Sequence, residues 1–411
     1  MKNIWILNHY AITPDMPGST RHYDFGQELL KKNYKITIFA SSFQHHGERK
    51  ELKIRKKKKW MHEKINNLSF VWLKTFPYKK NDWRRVLNMF SCVYRAYFIG
   101  KKITKLDKGV DKPDIILGSS PQLFILISAY LLAKHYKVKF ITELRDLWPQ
   151  NLIDINQLKE NGIVVKILRR LEKFLYHHTD KIIIFTPATE PYITSLGINK
   201  NKLCIIPNGV DLSKFDTANY NKPLGPKNNT FKIIYTGTLG LFYELDSILR
   251  TAKIIQKREL TDIKFIFMGN GVKKKELIQQ SKKIKLNNVK FMDSVPKTEI
   301  PNILKTANAF IIKRNKIFYG SSNKLMDYMA AAKPIIFSTS SGDTIAENAN
   351  CGISVPSGNS KDFAEAIIKL YNMSPEERQK MGENGRKYVE KHNNIPMLVD
   401  KLEKVFEETN N

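Results

Sequence analysis

Few of the residues that would place this chain in a specialised class are present. Cysteine is scarce. Cys92, Cys204 and Cys351 are far apart and odd in number, which leaves no disulfide framework and no metal-ligand spacing and points to a reducing cytoplasm. Long apolar runs are missing too. The longest uncharged one, Leu123 to Ala133, falls short of the roughly 20 residues a spanning helix needs. At the amino end, Asn8, His9, Pro14 and Asp15 interrupt the short run after Lys2, so it reads as a first strand and not as a signal peptide. There is no internal repeat, no low-complexity segment, no Walker A loop and no full dinucleotide fingerprint. Helix-turn-helix, zinc-finger and RNA-recognition signatures are absent as well, so charge alone stands for nucleic acid. Acidic residues are outnumbered, 39 against 69 Lys and Arg, giving a net charge of +30.

That charge is uneven. Residues 1–200 carry 36 Lys and Arg against 17 Asp and Glu; residues 201–411 carry 33 against 22. The steepest run is Arg49 to Trp60, with Trp72 and Trp83 nearby and a helical stretch, Arg84 to Phe98, beyond. Val86, Phe90, Val93, Tyr94, Tyr97 and Phe98 make one apolar face beside basic residues. A solvated loop, an anionic-membrane contact and a nucleic-acid patch all fit the run, and the helix fits interfacial docking or an internal packing role.

With 42% apolar and 26% charged residues over 411 positions, the chain is globular and long enough for two cores. Ile/Val/Phe-rich runs alternate with helical periods, which predicts parallel sheets covered on both faces. One alternation runs from Lys2–Asn8 to Leu203–Ile206, with helices at 20–33, 83–105, 121–136, 163–178 and 189–196. After a polar stretch, Tyr220 to Thr230, a second runs from Phe231–Thr236 to Ile353–Val355, with helices near 245–257, 273–285, 297–306, 323–331 and 360–372. Two more helices follow, 376–391 and 396–408. Two doubly wound α/β domains result, their strand carboxyl ends facing a shared cleft.

Function is then sought at strand ends. Pro17-Gly18-Ser19-Thr20-Arg21 lets a group approach the backbone closely, or is a plain helix cap; Arg21 suits an acidic or phosphorylated partner. Glu143-Leu144-Arg145-Asp146 puts three charges at the end of a buried strand. Glu143 and Arg145 can pair, which leaves Asp146 facing a cleft. Pro207-Asn208-Gly209-Val210-Asp211 is a turn signal at the junction. Tyr235-Thr236-Gly237-Thr238-Leu239-Gly240 and Met268-Gly269-Asn270-Gly271 are glycine-bearing strand-to-helix turns able to bring amides to phosphate. Ser321-Ser322-Asn323-Lys324 opens a helix, with Asp327 four residues past Asn323. A helix start with one lysine and one carboxylate suits a nucleotide diphosphate-sugar; an ordinary capped helix fits equally.

Pro207 to Asp211, Tyr235 to Gly240 and Asn323-Lys324 through Lys333-Pro334, in this order, resemble family 4 of the retaining glycosyltransferases across almost the whole chain. Glu143 to Pro149 is similar to its N-acetyl-L-fucosamine transferase-like branch. The resemblance implies a GT-B fold: an acceptor-binding domain of residues 1–206 plus 393–411, the last helix crossing back, and a donor-binding domain of residues 207–392. It implies retention at the anomeric carbon, no metal and no cofactor, with a UDP-sugar as donor substrate. Carried over by motif, Asp146 and Lys324 are the catalytic candidates. Gly237, Thr238, Gly269, Val295, Ser321, Ser322, Asn323 and Asp327 bind the donor, with Asp327 on the ribose and Val295 at the uracil edge. Gly18, Ser19, Arg21 and Arg145 bind the acceptor.

Two departures stand out. Tyr319 occupies the place of the first acid of the family's Glu-x(7)-Glu pattern, and Thr238 to Glu244 lacks the usual Arg and Lys. Lys324, the helix start, Lys313 and Arg314 are expected to replace those cations. Such an enzyme of surface-polysaccharide (capsule or O-antigen) synthesis is expected in the cytoplasm, peripheral at the inner face of the membrane. Its acceptor is then a saccharide on a polyprenyl diphosphate, and its basic half meets anionic lipid. A UDP-N-acetylglucosamine 2-epimerase-like enzyme shares the fold and is the alternative chemistry; a basic nucleic-acid-binding protein is the alternative class.

Overall fold

A computed structural model describes residues 1–43, 45, 51, 54, 57–80, 82–218, 230–241, 243–313, 322–338, 345–356 and 359–410. Ser321, Arg314, Tyr319, the stretch 219–229 and much of the Arg49 to Trp60 run lie outside them.

Two sheets organise the chain. The first holds β1 (Asn3–Leu7), β2 (Lys35–Ser41), β3 (Trp60–Ile65), β4 (Leu68–Leu73), β5 (Ile115–Ser119), β6 (Lys139–Leu144), β7 (Lys181–Ile184) and β8 (Leu203–Ile205), in the order β3-β4-β2-β1-β5-β6-β7-β8. The second holds β9 (Phe231–Thr236), β10 (Ile263–Met268), β11 (Val289–Met292), β12 (Ala309–Ile312), β13 (Ile335–Ser338) and β14 (Gly352–Val355), in the order β11-β10-β9-β12-β13-β14. Every pairing is parallel except β3 with β4. Helices cover both faces, so β1, β4 and β5 are buried at every position and read as continuous apolar runs. In each sheet the strand order reverses beside the first strand, at β1/β5 and at β9/β12. Those switch points open crevices at the strand carboxyl ends.

The strand β3 escaped the sequence reading. It closes a hairpin on β4 through Asn66 and Asn67, both at positive φ, and lies half-exposed at the sheet edge. An edge strand with one wet face needs no Ile/Val run, so Trp60-Met61-His62-Glu63-Lys64-Ile65 hid behind the basic stretch. Trp72, grouped with the surface aromatics from sequence, is a core side chain whose indole N–H donates to Glu63 at 2.8 Å. The expected helix 297–306 is a 3-10 turn, Lys297–Glu299, followed by Ile300–Lys305 with Pro301 in its first turn. The short helices Gln150–Asp154, Leu212–Asp216 and Ile345–Asn348 carry too few turns for an apolar period to show.

The last helix, Ile395–Asn410, lies against Arg21–Lys31 of the first half. It buries Leu398, Val399, Leu402, Val405 and Phe406 in the core beneath β1 and β2. Burial of each such side chain is worth about 1.5–3 kcal/mol. Lys32 fixes its outer face through Asp400 at 2.8 Å and Glu403 at 2.6 Å. Where the chain crosses between halves, Val210 N–H donates to the Asn393 carbonyl at 2.9 Å and Asn393 Nδ2 to the Asn208 carbonyl at 2.9 Å. The Asn-Gly sequence read as a turn is thus one of two hydrogen-bonded crossing segments.

Helix Ile163–His177 buries Glu172 completely. The Tyr192 hydroxyl meets both carboxylate oxygens at 2.8 Å, and Arg169 reaches Glu172 and Tyr192. Burial pushes the carboxyl from the ordinary 4.5 up to about 7, against Tyr192 and Arg169. The folded state therefore holds a proton that the unfolded chain has lost. Stability falls as pH rises from about 4.5 to about 7, by about 3 kcal/mol. Glu172→Gln should flatten that loss, read from urea midpoints at pH 5 and pH 8; a wild-type slope retained in the variant would contradict it.

Candidate active site

The first half contributes the loop after β1 and the ends of β5 and β6. Gly18 has φ +142°, outside the range favoured by side-chain-bearing residues. Ser19 Oγ next to it is buried without a hydrogen-bond partner. Arg21 opens its helix and turns inward at once. Its Nε donates to Glu143 at 2.8 Å, and its remaining nitrogens donate to the carbonyls of Pro207 at 2.6 Å and Ile206 at 3.1 Å. The guanidinium also stacks on Phe25 and Phe185. Glu143 further receives Ser119 Oγ at 2.7 Å and faces His22 Nε2 at 3.0 Å. Burial alone would raise the Glu143 carboxyl, but Arg21, His22 and Arg145 hold it well below the usual carboxylate range. Two expectations change here. Glu143 pairs with Arg21 and not with Arg145, and Arg21 spends its Nε and one donor of each terminal nitrogen on protein groups while still lining the cleft.

Asp146, two residues beyond β6, receives Asn151 Nδ2 at 3.2 Å. Burial pushes its carboxyl up, with Arg145 opposing. The Arg145 N–H donates to Ser120 Oγ at 2.9 Å, tying this loop to the end of β5.

In the second half, Gly237 and Gly269 end the neighbouring strands β9 and β10 with φ of +126° and +148°. A Cβ on Gly269 would sit 1.9 Å from the Gly237 carbonyl oxygen, so the two turns touch backbone to backbone. Gly269→Ala should displace the Gly237 turn and lower the thermal midpoint; an unchanged midpoint would show that the two turns can part without cost. Lys324 rises beneath it. Its ammonium donates to the Tyr235 hydroxyl at 2.7 Å, lies 3.9 and 3.5 Å from the Tyr235 and Tyr243 ring centres, and would be 3.0 Å from a Cβ on Gly237. Thr238 is exposed beside it, and its carbonyl accepts from Tyr235.

Ser322 caps the helix Asn323–Ala330 by accepting from Leu325 N–H. Asp327, one turn in, pairs with Lys297 at 2.5 Å. Val295 precedes Lys297 by two residues, in the turn that follows β11. Lys313 does not face the cleft as expected: it is fully buried, 2.5 Å from Ser247 Oγ, against the Phe363 ring and near Glu244.

A cleft joins the halves. Ser19, Arg21 and Asp24 line it from one side, Lys297, Asn323 and Asp327 from the other, and Gly209 to Asp211 at the crossing. Lys214 bridges the sides through Asp24 at 2.9 Å. Asp146, Arg145, Gly237, Gly269 and Lys324 stand outside this lining, the last three forming their own knot at the ends of β9 and β10. Lys297, Lys214 and Tyr235 were missed from sequence. Tyr235 lay within a quoted motif, and Lys297 follows a strand end, but nothing in the composition separates it from the other lysines.

Known proteins match this arrangement. Residues 18–214 fit the family profile described as Glycosyltransferase Family 4, and residues 216–388 fit Glycosyl transferases group 1. The capsular polysaccharide biosynthesis glycosyltransferase CapM of Staphylococcus aureus is 24% identical over 99% of this chain and 97% of its own. The probable glycosyltransferase WbjE of Pseudomonas aeruginosa is 21% identical over 64% of this chain and 66% of its own length. A UDP-Gal:alpha-D-GlcNAc-diphosphoundecaprenol alpha-1,3-galactosyltransferase of Escherichia coli is 25% identical over 58% of this chain and 63% of its own. Sucrose-phosphate synthase of Thermosynechococcus elongatus superposes with a TM-score of 0.76 at 13% identity, covering 99% of each chain. The chain belongs to the family 4 glycosyltransferases and has the GT-B fold.

Proposed function

We propose that this glycosyltransferase moves a hexose, N-acetylated by the branch resemblance, from a UDP-sugar to a saccharide on a polyprenyl diphosphate, with retention, in capsule or O-antigen synthesis. The observation that carries this reading is the cleft where Ser19 of the first half meets Asn323 and Asp327 of the second, with the Lys324–Gly237–Gly269 knot at the neighbouring strand ends. The names of CapM and the galactosyltransferase support the pathway and the acceptor class. Residues 1–206 with 393–411 serve as the acceptor lobe and 207–392 as the donor lobe.

The roles follow from chemistry. The amides of Gly237, Thr238 and Gly269, the start of the helix at Ser322 and Asn323, and the Lys324 ammonium take the diphosphate. Asp327 exchanges Lys297 for the ribose hydroxyls, and the backbone at Val295 meets the uracil. The bond from the anomeric carbon to the β-phosphate oxygen breaks, its electrons staying on UDP. The acceptor hydroxyl attacks from the same face and gives its proton to that oxygen. Asp146 and Arg145 orient sugar and acceptor, and Gly18 and Ser19 seat the acceptor beside the donor phosphates. Arg21 acts by holding Glu143. Protein cations carry the neutralisation, so no metal or cofactor takes part.

No helix among the described residues is long and apolar enough to cross a membrane. The helix Trp83–Leu106 exposes Trp83, Val86, Leu87, Phe90, Tyr94 and Phe98, and the helix Ile163–His177 exposes Ile163, Val164 and Ile167. Together with Lys57, Lys58 and Lys59 they suit an anionic bilayer, each cation near the surface adding about 1 kcal/mol. Flotation should be stronger with anionic than with neutral vesicles; equal flotation would remove the bilayer from the proposal. The function itself is tested by incubating the chain with a UDP-sugar panel and an alkyl-diphosphate-linked N-acetylglucosamine in EDTA. Acceptor-dependent UDP release and an α-linked product are expected. UDP release without acceptor would mark an epimerase-like enzyme instead.

A further inference from the structure

Asp146 belongs to a segment with little of its own to hold it. Helix Gln150–Asp154 begins four residues later and has five residues. No side chain caps its amino end, and Asn151 is the one residue it buries. A helix of little more than one turn does not persist on its own backbone bonds. Its orientation, and that of the Asp146 loop before it, is set from outside.

Helix Ile163–His177 supplies that hold. Gln150 Oε1 accepts from Arg169 Nη2 at 2.5 Å, and Gln150 Nε2 donates to Asp154 at 2.8 Å, so the Gln150 amide is gripped at both ends. Arg169 is itself fixed. Its other terminal nitrogen reaches Tyr192 and the fully buried Glu172 carboxylate, on which the Tyr192 hydroxyl also closes. A guanidinium presents its donors in a rigid planar fork, so anchoring one arm aims the other. The residue next to Gln150 completes the line. Asn151 N–H donates to the Leu147 carbonyl at 2.7 Å, and Asn151 Nδ2 donates to Asp146 Oδ1 at 3.2 Å. That is the one side-chain hydrogen bond the Asp146 carboxylate accepts among the described residues. Apolar side chains would brace the helices Ile163–His177 and Glu190–Ser195 without burying a carboxylate. What they would not supply is a directed donor for Gln150.

We propose that Arg169, through Gln150 and Asn151, sets where the Asp146 carboxylate points, which makes Arg169 and Gln150 positioning residues for the reaction. The assignment rests on the transferase reading above, in which Asp146 orients sugar and acceptor. Both residues act only through Asp146, so their effect on turnover vanishes once that carboxylate is gone.

Gln150→Leu tests this, because it leaves Arg169, Glu172 and Tyr192 in place. Hydrogen exchange on the full chain should quicken by about fivefold over residues 146–154, the equivalent of one lost hydrogen bond, and stay the same over residues 163–177. UDP affinity in calorimetry should match wild type, which also reports that the variant is folded. Turnover is then read with undecyl diphospho-N-acetylglucosamine as acceptor and UDP-hexoses and UDP-N-acetylhexosamines as donors. Gln150→Leu should lower kcat by about 10- to 100-fold. Gln150→Glu, which keeps an oxygen for Arg169, should recover most of that loss. Gln150→Leu combined with Asp146→Asn should be no slower than Asp146→Asn alone. Wild-type exchange or wild-type turnover in Gln150→Leu would overturn the proposal. So would losses that simply add in the double variant, the mark of bracing alone. If wild type transfers none of these sugars while the exchange result holds, the transferase reading falls and the hold on Asp146 stands.

Discussion

Arg21→Met should destabilise the first half by about 3–5 kcal/mol, the usual cost of removing one partner from a buried ion pair. The two side chains are 2% and 3% exposed, and Arg21 also caps the carbonyls of Ile206 and Pro207. The expected loss comes mainly from the buried Glu143 carboxylate left with hydrogen bonds from His22 and Ser119 and the more distant charge of Arg145. Two further results follow from that cause. Adding Glu143→Gln should recover more than half of the loss, because the charge that needed a partner is gone. In wild type, the depressed Glu143 carboxyl gives stability that is present above about pH 4.5 and lost as pH falls through its folded value. In Arg21→Met one of the groups that lower the carboxyl is gone, so this acid loss of stability should shrink. Urea midpoints at pH 5 and pH 8 for the single and double variants read all three effects. A double variant no more stable than Arg21→Met would move the cost to the lost carbonyl bonds and stacking.

Lys324→Ala should lower kcat/KM by about 10²–10³, or roughly 2.7–4 kcal/mol of transition-state stabilisation. Thr238 to Glu244 supplies no cation, and Lys313 is buried on Ser247 and the Phe363 ring, so under the proposed function Lys324 would carry a larger share of the leaving diphosphate's charge. Stability should change little. The lysine's bond to Tyr235 and its position over two rings are partly solvent-facing contacts, typically worth about 1 kcal/mol each. Tyr235→Phe, which removes only the bond that aims the ammonium, should cost far less activity than Lys324→Ala. Equal turnover in Lys324→Ala and wild type would assign the diphosphate to other groups.

Much of the architecture was legible because parallel strands buried on both faces leave unbroken runs such as Ile182-Ile183-Ile184. What escaped had a different physical basis. The strand Trp60–Ile65 is wet on one face and keeps its lysine and glutamate. In the candidate site, the strand-end loops were legible as turns, and the structure brings Gly237 and Gly269 into backbone contact and sets Ser19 and Asp327 on the cleft. The pairing partners were not legible. Nothing in the chain says that Arg21 belongs to Glu143, 122 residues away, or that Lys297 belongs to Asp327. Such long-range pairs appear only when the sheets bring strand ends together.

The central claim is that the second lobe grips a UDP diphosphate where Gly237, Gly269 and Lys324 converge. A crystal structure with UDP tests it most directly. The account expects the phosphates within hydrogen-bond reach of Lys324 Nζ and the amides of Gly237 and Asn323, with the ribose hydroxyls on Asp327 in place of Lys297. UDP bound away from these residues, with the Lys297–Asp327 pair intact, would contradict it.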